Sequence, residues 1–340
     1  MRVGVVGCGY WGAKHVRVLQ SLAAVEQVAL IDPLPAARAT LGKAFPALLS
    51  FSDLEEALAH VNALVIATPP STHATLGLRA LRAGKHVLIE KPLATNAKDA
   101  QALVEAAETN GMTLMVGHTF VYNPAVWRLR EIVASGELGD IHYIDTARLN
   151  LGMYQQDVNV VWDLAPHDVS IVDYILQSTP QRVHAWGGLH AHSFLEDVAY
   201  LRLEYTQVGV DVQVHVSWLD PCKVRRVTVV GSEKMAVYND LATEEPIRIY
   251  NKGVAPAARG AALTDPPMSY RYGDIVSPFI QFEEPLRVED QHFVECILEG
   301  RTPDTDGASG LAVVKVLEAA TTALWEGRPV HVEQRELTFR

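Results

Sequence analysis

Three groups of side chains carry the types and spacing that catalysis needs. In Glu90-Lys91-Pro92 a lysine follows the apolar run Val87-Leu88-Ile89, so a strand before it and a proline after it would hold its cation rigidly at the end of a sheet. A cation held there polarises a hydroxyl or carbonyl and lowers the hydroxyl's pKa. Spacing alone still favours a solvated loop lysine. Asp163 and His167 stand four apart in Trp162-Asp163-Leu164-Ala165-Pro166-His167, and they share a helical face if the helix begins early enough. Pro166 suits the first turn of such a helix, running from about 163 to 176. An imidazole that titrates near neutrality takes a proton from a hydroxyl, and a carboxylate beside it orients it or offsets its charge. The alternative is an Asp163 that caps the helix, with His167 satisfied in the first turn.

The third group is Gly7-Cys8-Gly9-Tyr10-Trp11-Gly12, directly after the apolar run at residues 2–6. Gly7 permits a tight turn, Gly9 lets the backbone approach a pyrophosphate, and Gly12 permits close packing of helix on strand. The helix N-terminus then offers its free N–H groups to phosphates, with Tyr10 and Trp11 beside them. Asp32 closes a second apolar run, where a carboxylate accepts from ribose hydroxyls and repels a 2′-phosphate. That favours NAD over NADP, although Arg38 nearby is suited to a phosphate and Asp32 before Pro33 is also an ordinary turn residue.

These groups need elements to position them. Short apolar runs at 2–6, 25–31, 47–51, 62–67, 86–89 and 113–117 alternate with helical stretches near 11–21, 35–43, 53–59, 72–83 and 96–110. Such alternation predicts a doubly wound parallel α/β sheet. Gly42, Gly84 and Gly111 are placed as helix C-caps. Ligands of an open parallel sheet lie beyond the carboxyl ends of its strands. Thr68 and Pro69, then Glu90 and Lys91, therefore join the expected cofactor set.

After a helix at about 124–135 the pattern changes to period-two strands: 141–149, 199–205, 210–218, 224–230 and 247–250. One apolar and one polar face predict a half-exposed antiparallel sheet. Two helices near 288–299 and 308–325 close the chain, and the Pro- and Gly-containing segment 251–285 is expected as the mobile one. We divide the chain into a dinucleotide-binding domain, 1–121, and a substrate-binding and oligomerisation domain, 122–340. Between its first strand and the His167 helix, Arg148, Asn150, Tyr154, Asp157 and Asn159, with Trp162, form a polar segment suited to a substrate. Arg148 fits a bidentate anion contact or a salt bridge equally well. Trp218, Lys223 and Arg225 at a strand turn are weaker candidates.

Bulk properties bound the partners. The 340 residues are 49% hydrophobic and 20% charged, enough for two cores, and the formal charge of −11 lacks the basic footprint of a nucleic-acid binder. Cys8, Cys222 and Cys296 match no metal-ligand spacing and are expected as reduced, packed thiols, with no metal site. A strand at residue 2 leaves no room for a signal peptide, and no apolar run approaches the ~20 residues of a membrane span, so a cytoplasmic protein without membrane contact is expected.

The glycine loop, Ala67-Thr68-Pro69-Pro70 with His73, Glu90-Lys91-Pro92, and Gly117-His118 before Asn123-Pro124 together resemble the Gfo/Idh/MocA family of sugar and inositol oxidoreductases over nearly the whole chain. The resemblance implies a Rossmann domain, a C-terminal α/β domain with a large open, mainly antiparallel sheet, and an active site between them. It also implies a Lys91, Asp163, His167 catalytic set that contacts the substrate, with His167 as acid/base, and it adds His73 and His118 to the expected cofactor set. Val161-Trp162 and Ala165-Pro166 stand where the commonest motif has glycines, a variant similar to the nucleotide-sugar branch that includes UDP-N-acetylglucosamine or uronate 3-dehydrogenases.

The expected reaction is NAD-dependent oxidation of a secondary hydroxyl, at C3, of a nucleotide-linked sugar. The alternatives are NADPH-dependent ketosugar reduction in deoxy- or aminosugar assembly, which Asp32 disfavours, an inositol, aldose–aldose or other free-sugar oxidoreductase, and an NAD-binding sensor or corepressor without turnover. An open sheet with one apolar-leaning face is usually covered, which predicts a homodimer or homotetramer.

Overall fold

The computed structural model describes residues 1–152, 154–155, 157–191, 194–256 and 268–333. They form two compact units: Met1–Asn123 with Glu283–Glu318, and Pro124–Phe282 with the described residues 319–333. The first unit's opening segment ends at Asn123. The return of Glu283–Glu318 to the first unit was not expected, because a helical pattern carries no mark of which sheet it covers.

The first unit contains β1 (Arg2–Val6), α1 (Tyr10–Leu19), β2 (Gln27–Ile31), α2 (Pro35–Ala44), β3 (Leu49–Phe51), α3 (Leu54–Leu58), β4 (Ala63–Ile66), α4 (Pro70–Arg82), β5 (His86–Glu90), α5 (Ala97–Asn110), β6 (Leu114–Gly117) and a 3-10 turn, Thr119–Tyr122. The strands pair in parallel in the order β3-β2-β1-β4-β5-β6. Val3, Val5, Ala63, Leu64, Val65, Ile66, Val87, Leu88 and Ile89 are all fully buried, as strands covered on both faces require. The order reverses between β1 and β4, and this switch point is where such sheets bind ligands. Gly111 caps α5 at φ +62°, and Gly84 follows α4 at φ +70°. Gly42 instead lies inside α2.

The second unit is built from α6 (Pro124–Ala134), β7 (Ile141–Leu151), α7 (Val160–Leu176), β8 (Arg182–Gly188), β9 (Val198–Tyr205), β10 (Val210–Ser217), β11 (Leu219–Gly231), β12 (Met235–Asn239), β13 (Ile247–Pro256) and β14 (Met268–Val276). Helices α8 (Pro285–Glu299) and α9 (Gly307–Glu326) follow, then β15 (Val330–His331). The sheet order is β14-β13-β12-β11-β7-β10-β9-β8-β15, antiparallel except for the parallel β7·β10 pair. Along β9, Ala199, Leu201, Leu203 and Tyr205 are buried, and Tyr200 and Arg202 point to solvent. Helix α7 lies on the buried face, against β7, β9 and β10.

Several expectations are corrected. The segment 251–285 is not one loop: 251–256 completes β13 and 268–276 forms β14, paired with it from Ile249 to Pro256, and 257–267 lies outside the described residues. Cross-strand partners decide this, and local Pro and Gly content conceals it. Helix α7 begins at Val160, so Pro166 stands in its second turn. Cys8 and Cys296 are buried, but Cys222 is exposed. Helix α9, at 20 residues, is long and apolar enough to cross a membrane by length and composition, contrary to expectation, but most of it is buried inside the protein.

Candidate functional site

In the first unit, Gly7 adopts φ +95°, and a Cβ there would lie 2.5 Å from the Ala67 carbonyl oxygen. A Cβ on Gly12 would lie 1.8 Å from the Gly7 oxygen, so α1 packs on the loop as closely as only glycine allows. A Cβ on Gly9 would meet nothing within 4 Å among the described residues, which leaves room for a ligand over that backbone. Gly9 is also the N-cap of α1, with no side-chain cap, so the helix presents uncapped N–H groups there. Tyr10 and Trp11 flank the loop, exposed and edge to face, and Lys14 lies over both rings.

The Asp32 carboxylate accepts from the Cys8 backbone N–H at 2.8 Å and from that of Leu34 at 2.8 Å, which ties the end of β2 to the glycine loop. The Arg38 guanidinium donates to the Asp32 carbonyl. Burial, then the Asp32 charge, pushes the Cys8 thiol up to about 11, so it stays protonated.

The loops after β4 and β5 are joined by His73. Its Nδ1 lies 2.8 Å from the Pro92 carbonyl and its Nε2 2.8 Å from that of Thr68. The ring is fully buried, and burial lowers its pKa against the pull of both carbonyls. His73 therefore locks the two loops together. Thr68 accepts from Thr72, and Pro69 is the N-cap residue of α4.

Glu90 is held in a similar way. One carboxylate oxygen lies 3.1 Å from His15 Nε2 and the other accepts from the Lys91 backbone N–H at 3.2 Å. His15 Nδ1 lies 2.8 Å from Asp290 on α8, and Thr119 donates to Glu289 at 2.9 Å. Burial opposes charge on His15, but the two carboxylates hold its pKa well above the ordinary value. Burial also raises Glu289 and Asp290. Glu90 stays below the usual carboxylate range, because the His15 bond and charge outweigh its burial. Sequence reasoning missed His15, Glu289 and Asp290. The only local signal was polar residues on otherwise apolar helix faces. His118 is 2% exposed, and neither ring nitrogen meets a partner among the described residues. Burial and the nearby Lys91 cation lower it to about 4, so it is neutral.

In the second unit, Asn159 caps α7 by accepting from Trp162 N–H at 3.2 Å, and Asp163 and His167 follow four apart inside the helix. The Asp163 carboxylate accepts from the indole of Trp218 at 2.9 Å. Trp218, 1% exposed, connects β10 to β11 and stacks obliquely on Tyr154 at 5.3 Å. Asn150 is half-buried at the end of β7, and Asp157 is exposed.

Three of the residues expected at the substrate have partners within the protein. Arg148 is buried and donates bidentately to Asp168, at 2.8 and 3.3 Å, because its strand faces α7 and not an open segment. Asn159 uses its amide N–H on Glu196 at 2.7 Å as well as its cap. The Trp162 indole donates to Thr321 at 2.9 Å. Of the weaker candidates, Arg225 pairs with Asp240 at 3.1 Å and Lys223 is exposed. No metal-binding cluster occurs among the described residues.

Comparison with known proteins follows the same division. The sequence model of the Gfo/Idh/MocA oxidoreductase family, NAD-binding Rossmann fold, matches residues 1–118, and that of the Gfo/Idh/MocA C-terminal domain matches residues 126–237. UDP-N-acetylglucosamine 3-dehydrogenase of Acidithiobacillus ferrooxidans is 33% identical over 92% of this chain and 94% of that enzyme. Inositol 2-dehydrogenase of Rhizobium meliloti is 24% identical over 98% of this chain and 99% of its own. Among solved structures, GenD2 from gentamicin A biosynthesis, in complex with NAD, superposes with a TM-score of 0.82 at 27% identity, covering 98% of this chain and 96% of that one.

Proposed function

Because this chain belongs to the Gfo/Idh/MocA oxidoreductase family, with an NAD-binding Rossmann domain, we propose that it oxidises a secondary hydroxyl, at C3, of a nucleotide-linked sugar. The observation that carries the reading is the Asp163–His167 pair, four apart on α7, with the Asp163 carboxylate fixed by Trp218. The relative at 33% identity, a nucleotide-sugar 3-dehydrogenase, supports the substrate class.

The glycine loop and α1 N-terminus receive the pyrophosphate, Asp32 the adenosine ribose, and Thr68 and Pro69 border the same strand ends. The space over Gly9 and the neutral His118 ring, whose nitrogens meet no partner among the described residues, fit such a ligand. When bound, NAD supplies the hydride acceptor. In this mechanism His167 takes the hydroxyl proton, and Lys91 orients the oxygen and offsets its developing negative charge. Asp163 holds His167 or a second hydroxyl. Lys91 keeps its place because Glu90 and His73 fix the strand end and the loop behind it.

NADH formation with UDP-N-acetylglucosamine, its uronate and scyllo-inositol as separate substrates tests the reading. Turnover of inositol alone would replace the nucleotide-sugar assignment with the free-polyol one. We also assign the outer sheet face, where exposed Trp186 packs on exposed Tyr200 and Tyr200 stacks on the half-buried His215, to homo-oligomer contact. Sedimentation of Tyr200→Lys against the parent protein tests this: an unchanged mass excludes it.

A further inference from the structure

The second unit holds another histidine–carboxylate pair, outside the proposed catalytic set. His190 Nδ1 lies 2.8 Å from Asp197, and the same carboxylate accepts from the backbone N–H groups of His190 at 3.0 Å and Ala191 at 2.6 Å. The Asp197 side chain is fully buried, whereas the His190 ring is half-exposed. Burial opposes ionisation of Asp197, but these donors together hold it below the usual carboxylate range.

The topology sets this pair beside Asp163. Gly188, Val198, Ser217 and Leu149 are register partners in one row across β8, β9, β10 and β7. Just past that row the ladder continues: Asp197 N–H donates to the Gly188 carbonyl, Trp218 N–H to that of Asp197, and Gly152 N–H to that of Trp218. Val160 N–H at the start of α7 donates to the Glu196 carbonyl. Trp218 thus links the two residues, bonding the Asp197 main-chain carbonyl through its backbone N–H and the Asp163 carboxylate through its indole. The His190 ring also lies against Gly188, where a Cβ would approach its Cε1 to 2.3 Å.

Resting on the sugar-oxidoreductase reading above, we propose that His190 is a substrate-binding residue whose Nε2 accepts a hydrogen bond from a hydroxyl of the sugar ring, with Asp197 as its positioning residue. An ionised carboxylate on Nδ1 selects the tautomer with its proton on Nδ1, which leaves Nε2 with a lone pair for a donor. A sugar ring offers such donors on several carbons, and fixing a second one beside the reacting hydroxyl sets which carbon reaches His167.

His190→Asn tests the assignment, because an asparagine amide keeps a donor toward Asp197 and deletes the Nε2 edge. With whichever of UDP-N-acetylglucosamine, its uronate or scyllo-inositol the parent enzyme oxidises, KM for the sugar rises about tenfold and kcat stays within about threefold. Gly188→Ala, which displaces the ring without removing it, raises the same KM, and the KM for NAD is unchanged in both variants. An unchanged sugar KM in His190→Asn overturns the assignment, as does a fall in kcat at constant KM, which belongs to proton transfer. If the parent protein forms NADH with none of the three compounds, the sugar reading fails and the assignment falls with it.

Discussion

The indole of Trp218 donates to the carboxylate of Asp163 across 55 positions of sequence, from a strand connection to the first turns of a helix. A hydrogen bond to a charged acceptor contributes about 1.5–3 kcal/mol. It also fixes which way Asp163 points. Trp218→Phe keeps an aromatic ring and removes the donor, so kcat/KM is expected to fall about tenfold or more while NAD affinity stays unchanged. Unchanged steady-state kinetics would remove the bond from the mechanism.

His167→Asn is expected to lower kcat by about 10²–10⁴, the usual contribution of a positioned acid/base. Lys91→Met should lose a comparable factor through the uncompensated oxygen charge. NAD titration by fluorescence should show near-parental affinity for the His167 variant. Full activity of either variant would end the proposed roles.

Asp32 is held by two backbone donors before any cofactor arrives, so its carboxylate is preorganised. Asp32→Ala is expected to lower the ratio of kcat/KM with NAD to that with NADP by about 10–100-fold, the worth of a charged hydrogen bond and the lost repulsion. Parallel kinetics with the two cofactors check it. A preserved ratio would move discrimination to another residue.

Asp173 is buried in the second unit and accepts from the Tyr205 hydroxyl at 2.7 Å. Burial raises it from 3.8 to about 8, against that hydroxyl, which lowers it. Between those values the unfolded chain has released the proton and the folded chain keeps it. Stability therefore falls as pH rises through this window, by at most about 1.4 kcal/mol per pH unit from this group, and levels off above about 8. Asp173→Asn keeps the acceptor for Tyr205 and removes the titration. Melting temperatures across the window should flatten in the variant relative to the parent, and equal slopes would show that the group is not protonated in the fold.

The first unit was largely legible because a parallel sheet covered on both faces writes its strands as unbroken apolar runs, such as Ala63–Ile66, and its turns as Gly7 and Gly111. The second was less so. β8 and β14 carry no strong alternation, and their places come from partners at Val198–Tyr205 and Ile247–Pro256. Polar side chains were harder still: Arg148 and Asn159 suit a ligand by type, but burial gives them to Asp168, Glu196 and a helix cap.

The sequence by itself determined the Rossmann half, the acid at the end of β2, the lysine after β5 and the four-residue spacing of Asp163 and His167, because each depends on neighbours a few positions away. Only tertiary structure decided what holds them. His15 with Asp290 behind Glu90, His73 between two loops, and Trp218 on Asp163 are pairings between distant segments, and burial turns each from a surface polar group into a fixed contact. Such contacts form because a buried donor or acceptor must find a partner, and the fold, not the local sequence, decides which partner is within reach.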